Sequence, residues 1–131
     1  MAQQAGTRNR PLSPHLQIWR WGPGMVSSIL HRVTGVGASV GLLVLMWWLG
    51  ALVAGPAAYQ KFAAIATSPL GLLVLVGVSW SVIAHAITGI RHFVLDTGAG
   101  YELTQNKLWA NISTAAGFVL TAVFWAALLL R

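Results

Sequence analysis

The chain has 131 residues, no Cys, 56% hydrophobic residues, only 8% charged residues and a formal net charge of +6. A soluble domain averages about 25% charged residues, so this composition excludes an ordinary soluble fold. The absence of Cys excludes disulfides, thiolate metal sites and iron–sulfur clusters held by this chain.

The apolar residues are gathered into three blocks. Val33 to Gln60, Phe62 to Ile90 and Leu108 to Leu130 each lack any charged residue. Each block exceeds the ~20 apolar residues needed to cross a bilayer. None alternates at the period of a strand, which argues against a barrel. The expectation is an all-α membrane protein with three transmembrane helices. Residues 1–24 read as a cytoplasmic and interfacial arm and residues 25–131 as the transmembrane domain, with spans near 25–53, 69–95 and 108–130.

In the arm, Arg10-Pro-Leu-Ser-Pro-His15 carries two prolines and reads as extended, with His15 solvated. Leu16-Gln-Ile-Trp-Arg-Trp21 sets two indoles beside a cation, which suits the headgroup level. Gly22-Pro-Gly24 then breaks the chain. Span one is ~43 Å long against a hydrocarbon core of ~30 Å, so its first turns reach the headgroup zone. Those turns hold Ser27, Ser28, His31 and Arg32. Ser28, Arg32, Gly35 and Ser39 share one polar and small-residue stripe, and small residues let transmembrane backbones approach.

Ala54 to Ser68 reads as the outer connection, with Gly55-Pro56 as breaker. Ser68-Pro69 offers an N-cap and a first-turn proline for span two. Span two ends in His85, Arg91, His92 and Asp96, and Thr97-Gly-Ala-Gly100 stops it. Span three has no ionisable residue inside and reads as a packing or lipid-facing helix. Arg8, Arg10, Arg20, Arg32, Arg91 and Lys107 fall on one side of these spans, and only Lys61 and Arg131 on the other. That bias places the N-terminus in the cytoplasm. The basic excess is thus a topology signal, with no nucleic-acid partner implied.

Two polar clusters therefore meet at one membrane depth. Ionisable groups inside a bilayer are costly and point to function. His85 and His92 lie seven residues apart, on one helix face ~10 Å apart along the axis, with Gly89 between them. A flat ligand along that face is one reading, with His85 as a haem axial ligand. Its Nδ1–H would donate to the Ser81 carbonyl and leave Nε2 for iron. A histidine bonded to a neighbouring helix and a proton relay are the other readings. His31, Arg32 and His92 form a cationic rim suited to propionates or to lipid headgroups. Ser28 and Arg32 are donors suited to a quinone's carbonyl oxygens, or to helix packing. Asp96 pairs with Arg91 or Arg32, or delivers protons. No second intramembrane histidine is read on a facing helix, so a second axial ligand would come from another polypeptide.

Arg10-Pro-Leu-Ser-Pro-His-Leu16, Ser27-Ser-Ile-Leu-His-Arg-Val-Thr-Gly35 and His85-Ala-Ile-Thr-Gly-Ile-Arg-His-Phe-Val-Leu-Asp96 resemble the larger, cytochrome b-type membrane anchor of succinate dehydrogenase. The likeness runs nearly the whole chain. It implies a heteromeric helix bundle in a bacterial inner membrane, with a second small anchor, an iron–sulfur subunit and a flavoprotein subunit as partners. It implies haem b held by His85 and by a ligand from the second anchor. His31, Arg32 and His92 would meet the propionates, and Ser28 and Arg32 a ubiquinone or menaquinone. Dicarboxylate chemistry would sit on another subunit. Asp96 matches an acidic position whose implied role is proton delivery. A fumarate reductase anchor and a cofactor-free structural anchor are the competing expectations.

Overall fold

A computed structural model describes residues 14–130. Residues 1–13, including Arg10-Pro-Leu-Ser13 of the Arg10–Leu16 motif, lie outside the described residues, as does Arg131. Five helices follow in order: α1 (His15–Ile18), α2 (Pro23–Val53), α3 (Pro56–Ala66), α4 (Pro69–Asp96) and α5 (Leu103–Leu129). Three of them, α2, α4 and α5, are long and apolar enough to cross a membrane. The all-α, three-span expectation is met.

Local sequence explains the helix starts. Gly22 is the extended N-cap of α2 and Pro23 is in its first turn, so this proline opens the helix instead of preceding it. Ser68 caps α4 as expected, its Oγ accepting from the Gly71 N–H at 3.1 Å. α5 starts at Leu103, five residues before the charge-free block that marked the third span. Polar residues at a membrane surface do not stop a helix, so charge located the span but not its first turn. The outer connection is largely the helix α3, which the sequence reading took as a plain link. Gly55 makes the turn before it with φ 102°, a conformation open to glycine, and Pro56 starts the helix. Phe62 of α3 is buried edge-on against Trp47 of α2, with ring centroids 4.8 Å apart.

α4 is the central helix, packed against both α2 and α5. The contact faces are built from small residues. A Cβ on Gly41 would stand 2.5 Å from Val78, and one on Gly117 2.8 Å from the Ala84 Cβ. Gly37 lies equally close to Ser81. Without a hydrophobic drive between helices in lipid, such close backbone approach supplies the packing energy. The interior is correspondingly polar and small: Ser27, Thr34, Ser81, Thr88, Ser113 and Thr121 are buried. The threonine hydroxyls are satisfied on their own helices, Thr34 to the Leu30 carbonyl and Thr121 to the Gly117 carbonyl, both at 2.7 Å. Leu43, Phe93 and Val119 point outward, as lipid-facing side chains do.

One expectation about α2 is corrected. Only part of the Ser28–Arg32–Gly35–Ser39 stripe is packed: Gly35 lies against His85. The buried residues are Ser27, Thr34 and Gly41, and at 100° per residue they lie about a quarter turn or more from Ser28, Arg32 and Ser39. Arg32 and Ser39 are exposed, and Ser39 returns its hydroxyl to the Gly35 carbonyl at 3.1 Å. The polar flank of α2 is thus open in this chain, while hydroxyls that bond back to their own helix line the joint.

Close approach at Gly117 makes a direct prediction. Gly117→Val should lower stability by about 1–3 kcal/mol, because α5 must move off Ala84. Gly77→Ala, where an added methyl meets open space, should leave it unchanged or slightly higher. Thermal unfolding in detergent reads both, and an unchanged midpoint for Gly117→Val would contradict the packing.

Candidate functional site: a histidine cluster between two helices

The first turns of α2 and the last turns of α4 run side by side, and they bring three imidazoles together. The rings of His31 and His85 stack with centroids 3.9 Å apart and planes 8° from parallel. His92 closes on His31 at 4.8 Å, tilted by 57°. All three are half-buried.

His85 is oriented by backbone. Its Nδ1 lies 3.0 Å from the carbonyl oxygen of His31 on α2. A carbonyl only accepts, so Nδ1 carries the proton and Nε2 keeps its lone pair. This corrects the expected donation to Ser81. The Ser81 carbonyl belongs to the same helix and is a backbone acceptor for the next turn, whereas the His31 carbonyl is presented by the neighbouring helix. Gly35 makes the approach feasible: a Cβ there would stand 3.0 Å from His85 Cε1. The imidazole thus occupies the space that a larger residue at position 35 would fill.

His31 is held in turn. Its Nδ1 is 2.7 Å from Thr88 Oγ1, and that hydroxyl donates to the Ala84 carbonyl at 2.7 Å. His31 Nδ1 is therefore the donor in the pair. The hydroxyl of Thr34 also donates toward the His31 carbonyl at 3.0 Å. Thr88 and Thr34 are site residues that the sequence reading missed. Thr88 follows His85 by three residues, a spacing that shares a helix face, and that was the available signal.

The stacking also revises the view that no histidine faces His85. His31 does face it. The two rings, however, lie in direct contact. Rings lying face to face at 3.9 Å leave no place for iron between them.

The remaining residues are placed by helix register. Ser28, half-buried, and Arg32, exposed, sit one turn apart on the open flank of α2. Asp96 is exposed one turn beyond His92. Arg91 turns away from this cluster and donates to the Asn106 side-chain oxygen on α5. Gly89 faces His31, where an added Cβ would make only ordinary contact at 3.7 Å from Cε1. The fully buried Ser27 Oγ has no hydrogen-bond partner. Among the described residues, no group of three or more His, Cys, Asp or Glu could hold a bare metal ion. An imidazole with a free Nε2 suits an iron whose other ligands a macrocycle supplies.

Comparison with known proteins agrees with this architecture. The family model for the succinate dehydrogenase/fumarate reductase transmembrane subunit matches residues 6–124. The succinate dehydrogenase cytochrome b556 subunit of Paracoccus denitrificans is 37% identical over 115 residues, 88% of each chain. That of Rickettsia felis is 33% identical over 116 residues, covering 88% of this chain and 90% of the relative. The mitochondrial succinate dehydrogenase cytochrome b560 subunit of Sus scrofa is 36% identical over 128 residues, covering 92% of this chain and 72% of the relative. Three apolar spans and bacterial relatives support a bacterial inner-membrane protein. Spans, histidine cluster and matches lead to one assignment: the chain belongs to the succinate dehydrogenase/fumarate reductase transmembrane-subunit family, as a cytochrome b-type membrane anchor.

Proposed function

We propose that this chain binds haem b and quinone in succinate dehydrogenase, and serves the passage of electrons from the iron–sulfur subunit to membrane quinone. The observation that carries the reading is the 3.0 Å hydrogen bond from His85 Nδ1 to the His31 carbonyl. It fixes the tautomer and the ring plane, which is what the partner behind a metal-ligating imidazole does. Haem b, when bound, supplies a one-electron store inside the bilayer. His85 would hold its iron through Nε2, with a further ligand supplied by a second small anchor. Arg32, His31 and His92 supply the positive side for its propionates. The N-terminus lies on the cytoplasmic side, so this end of the bundle faces the iron–sulfur and flavoprotein subunits. Dicarboxylate oxidation belongs to those partners.

Ser28 and Arg32 bind the quinone. Both are donors, and both lie on the flank of α2 that this chain leaves open. As the quinone's oxygens gain charge on reduction, a hydroxyl and a fixed guanidinium already aimed at them need no reorganisation. The reduced ring must also take up protons, and Asp96, exposed at the end of α4, would deliver them. The buried hydroxyl of Ser27 lies beside Ser28 but inside the helix joint, so the quinone role falls to Ser28.

His85→Ala should abolish the low-spin haem signal of the purified complex. An unchanged reduced-haem spectrum would rule the ligand assignment out. Ser28→Ala should slow quinone reduction by about 100- to 1,000-fold, the range for losing one preorganised donor, with succinate oxidation by a soluble acceptor preserved. Loss of both activities together would instead mean that Ser28 supports assembly.

A further inference from the structure

The face of α4 opposite the histidine cluster also carries a site. A groove of about 420 Å³ runs between the end of α4 and the start of α5. That volume lies in the ~300–1,000 Å³ range of ligand sites. Its floor is apolar, with Ile90, Val94 and Ile112 among its residues, and Arg91, Asn106 and Trp109 also line it. At 100° per residue, Ile87, Ile90 and Val94 lie about half a turn from His85, Gly89 and His92. The groove is therefore separate from the cluster and does not depend on what His85 binds.

The charge in this groove is poorly matched. The described hydrogen-bond partner of Arg91 is the neutral Asn106 side chain, so that bond does not cancel the guanidinium. The Arg91 Nε is buried without a partner. A cation held over an apolar trough, beside an exposed indole at a helix start, matches one chemistry: an anionic headgroup with an acyl chain. Trp109 is 56% exposed, and indoles of this kind sit at the headgroup level.

We propose that the α4–α5 groove binds one anionic phospholipid, its phosphate on Arg91 and Asn106 and an acyl chain along Ile90, Val94 and Ile112. A phosphate offers the guanidinium charge-assisted acceptors that the Asn106 amide does not. A diacylglycerol, which has no phosphate, fills the same trough but leaves the charge unanswered. The lipid would brace the end of α4 from behind, on the side away from the imidazoles.

The test uses the intact complex, purified in mild detergent, depleted of lipid and then given phosphatidylglycerol or diacylglycerol. Native mass spectrometry counts the lipid retained. The wild type should hold phosphatidylglycerol about tenfold more tightly than Arg91→Gln, the loss of one charge-assisted contact. Diacylglycerol should show no such difference. Ile112→Trp, which fills the trough and keeps the charge, should lose phosphatidylglycerol as well, and it carries the test alone if Arg91→Gln fails to assemble. Equal phosphatidylglycerol retention by wild type and variants overturns the proposal. An equal drop for both lipids on Arg91→Gln also overturns it, since the groove would then not read headgroup charge. A photoreactive residue in place of Ile112 should label lipid; labelling of another subunit would make the groove a protein interface.

Discussion

A carbonyl on one transmembrane helix accepting from an imidazole on the next is the constraint on which the site depends. In hydrocarbon an imidazole without partners leaves a donor and an acceptor unpaired. The His31 carbonyl answers the donor of His85 and leaves the acceptor without a hydrogen bond among the described residues. Moving α2 by one residue would rotate that carbonyl by about 100° and take it away. The depth and rotation of α2 against α4 are therefore set by the same bond that sets the ring.

That register is supported by packing of an unusual kind for a soluble protein and an ordinary kind for a membrane one. Glycines at 37, 41 and 117 let the three long helices touch nearly backbone to backbone. Buried hydroxyls at Thr34, Thr88 and Thr121 bond back to their own helices, so none competes for the joint. Thr88 does a second task, because its oxygen also receives His31 Nδ1–H. One hydroxyl thus links the α4 backbone to the ring stacked on His85. The large apolar residues, sent outward, suit lipid and neighbouring helices. The polar flank of Ser28 and Arg32 stays open, and an open polar flank inside a membrane calls for a ligand or another subunit.

Much of this was legible from residue order. Long charge-free blocks can only be paid for by hydrocarbon, and they gave the three spans. Ser68-Pro69 marked the start of α4 because its chemistry is local. The position of the histidines on α2 and α4 was also legible, from periodicity alone. The acceptor of His85 was not, since which carbonyl faces a ring depends on how two helices rotate against each other. For the same reason the Ser28–Ser39 stripe was read as one face, when Gly35 packs on His85 and Arg32 and Ser39 stay exposed. The helix α3 was missed because a short run after Gly55-Pro56 looks like a breaker and its link. What it packs on, Trp47, is remote in sequence.

The most direct measurement is a density map of the purified complex fine enough to place imidazole rings. The account predicts iron on the Nε2 side of His85, with Nδ1 still on the His31 carbonyl and the second axial ligand arriving from another chain. A map with both ring nitrogens of His85 bonded to protein and no metal beside them would contradict it.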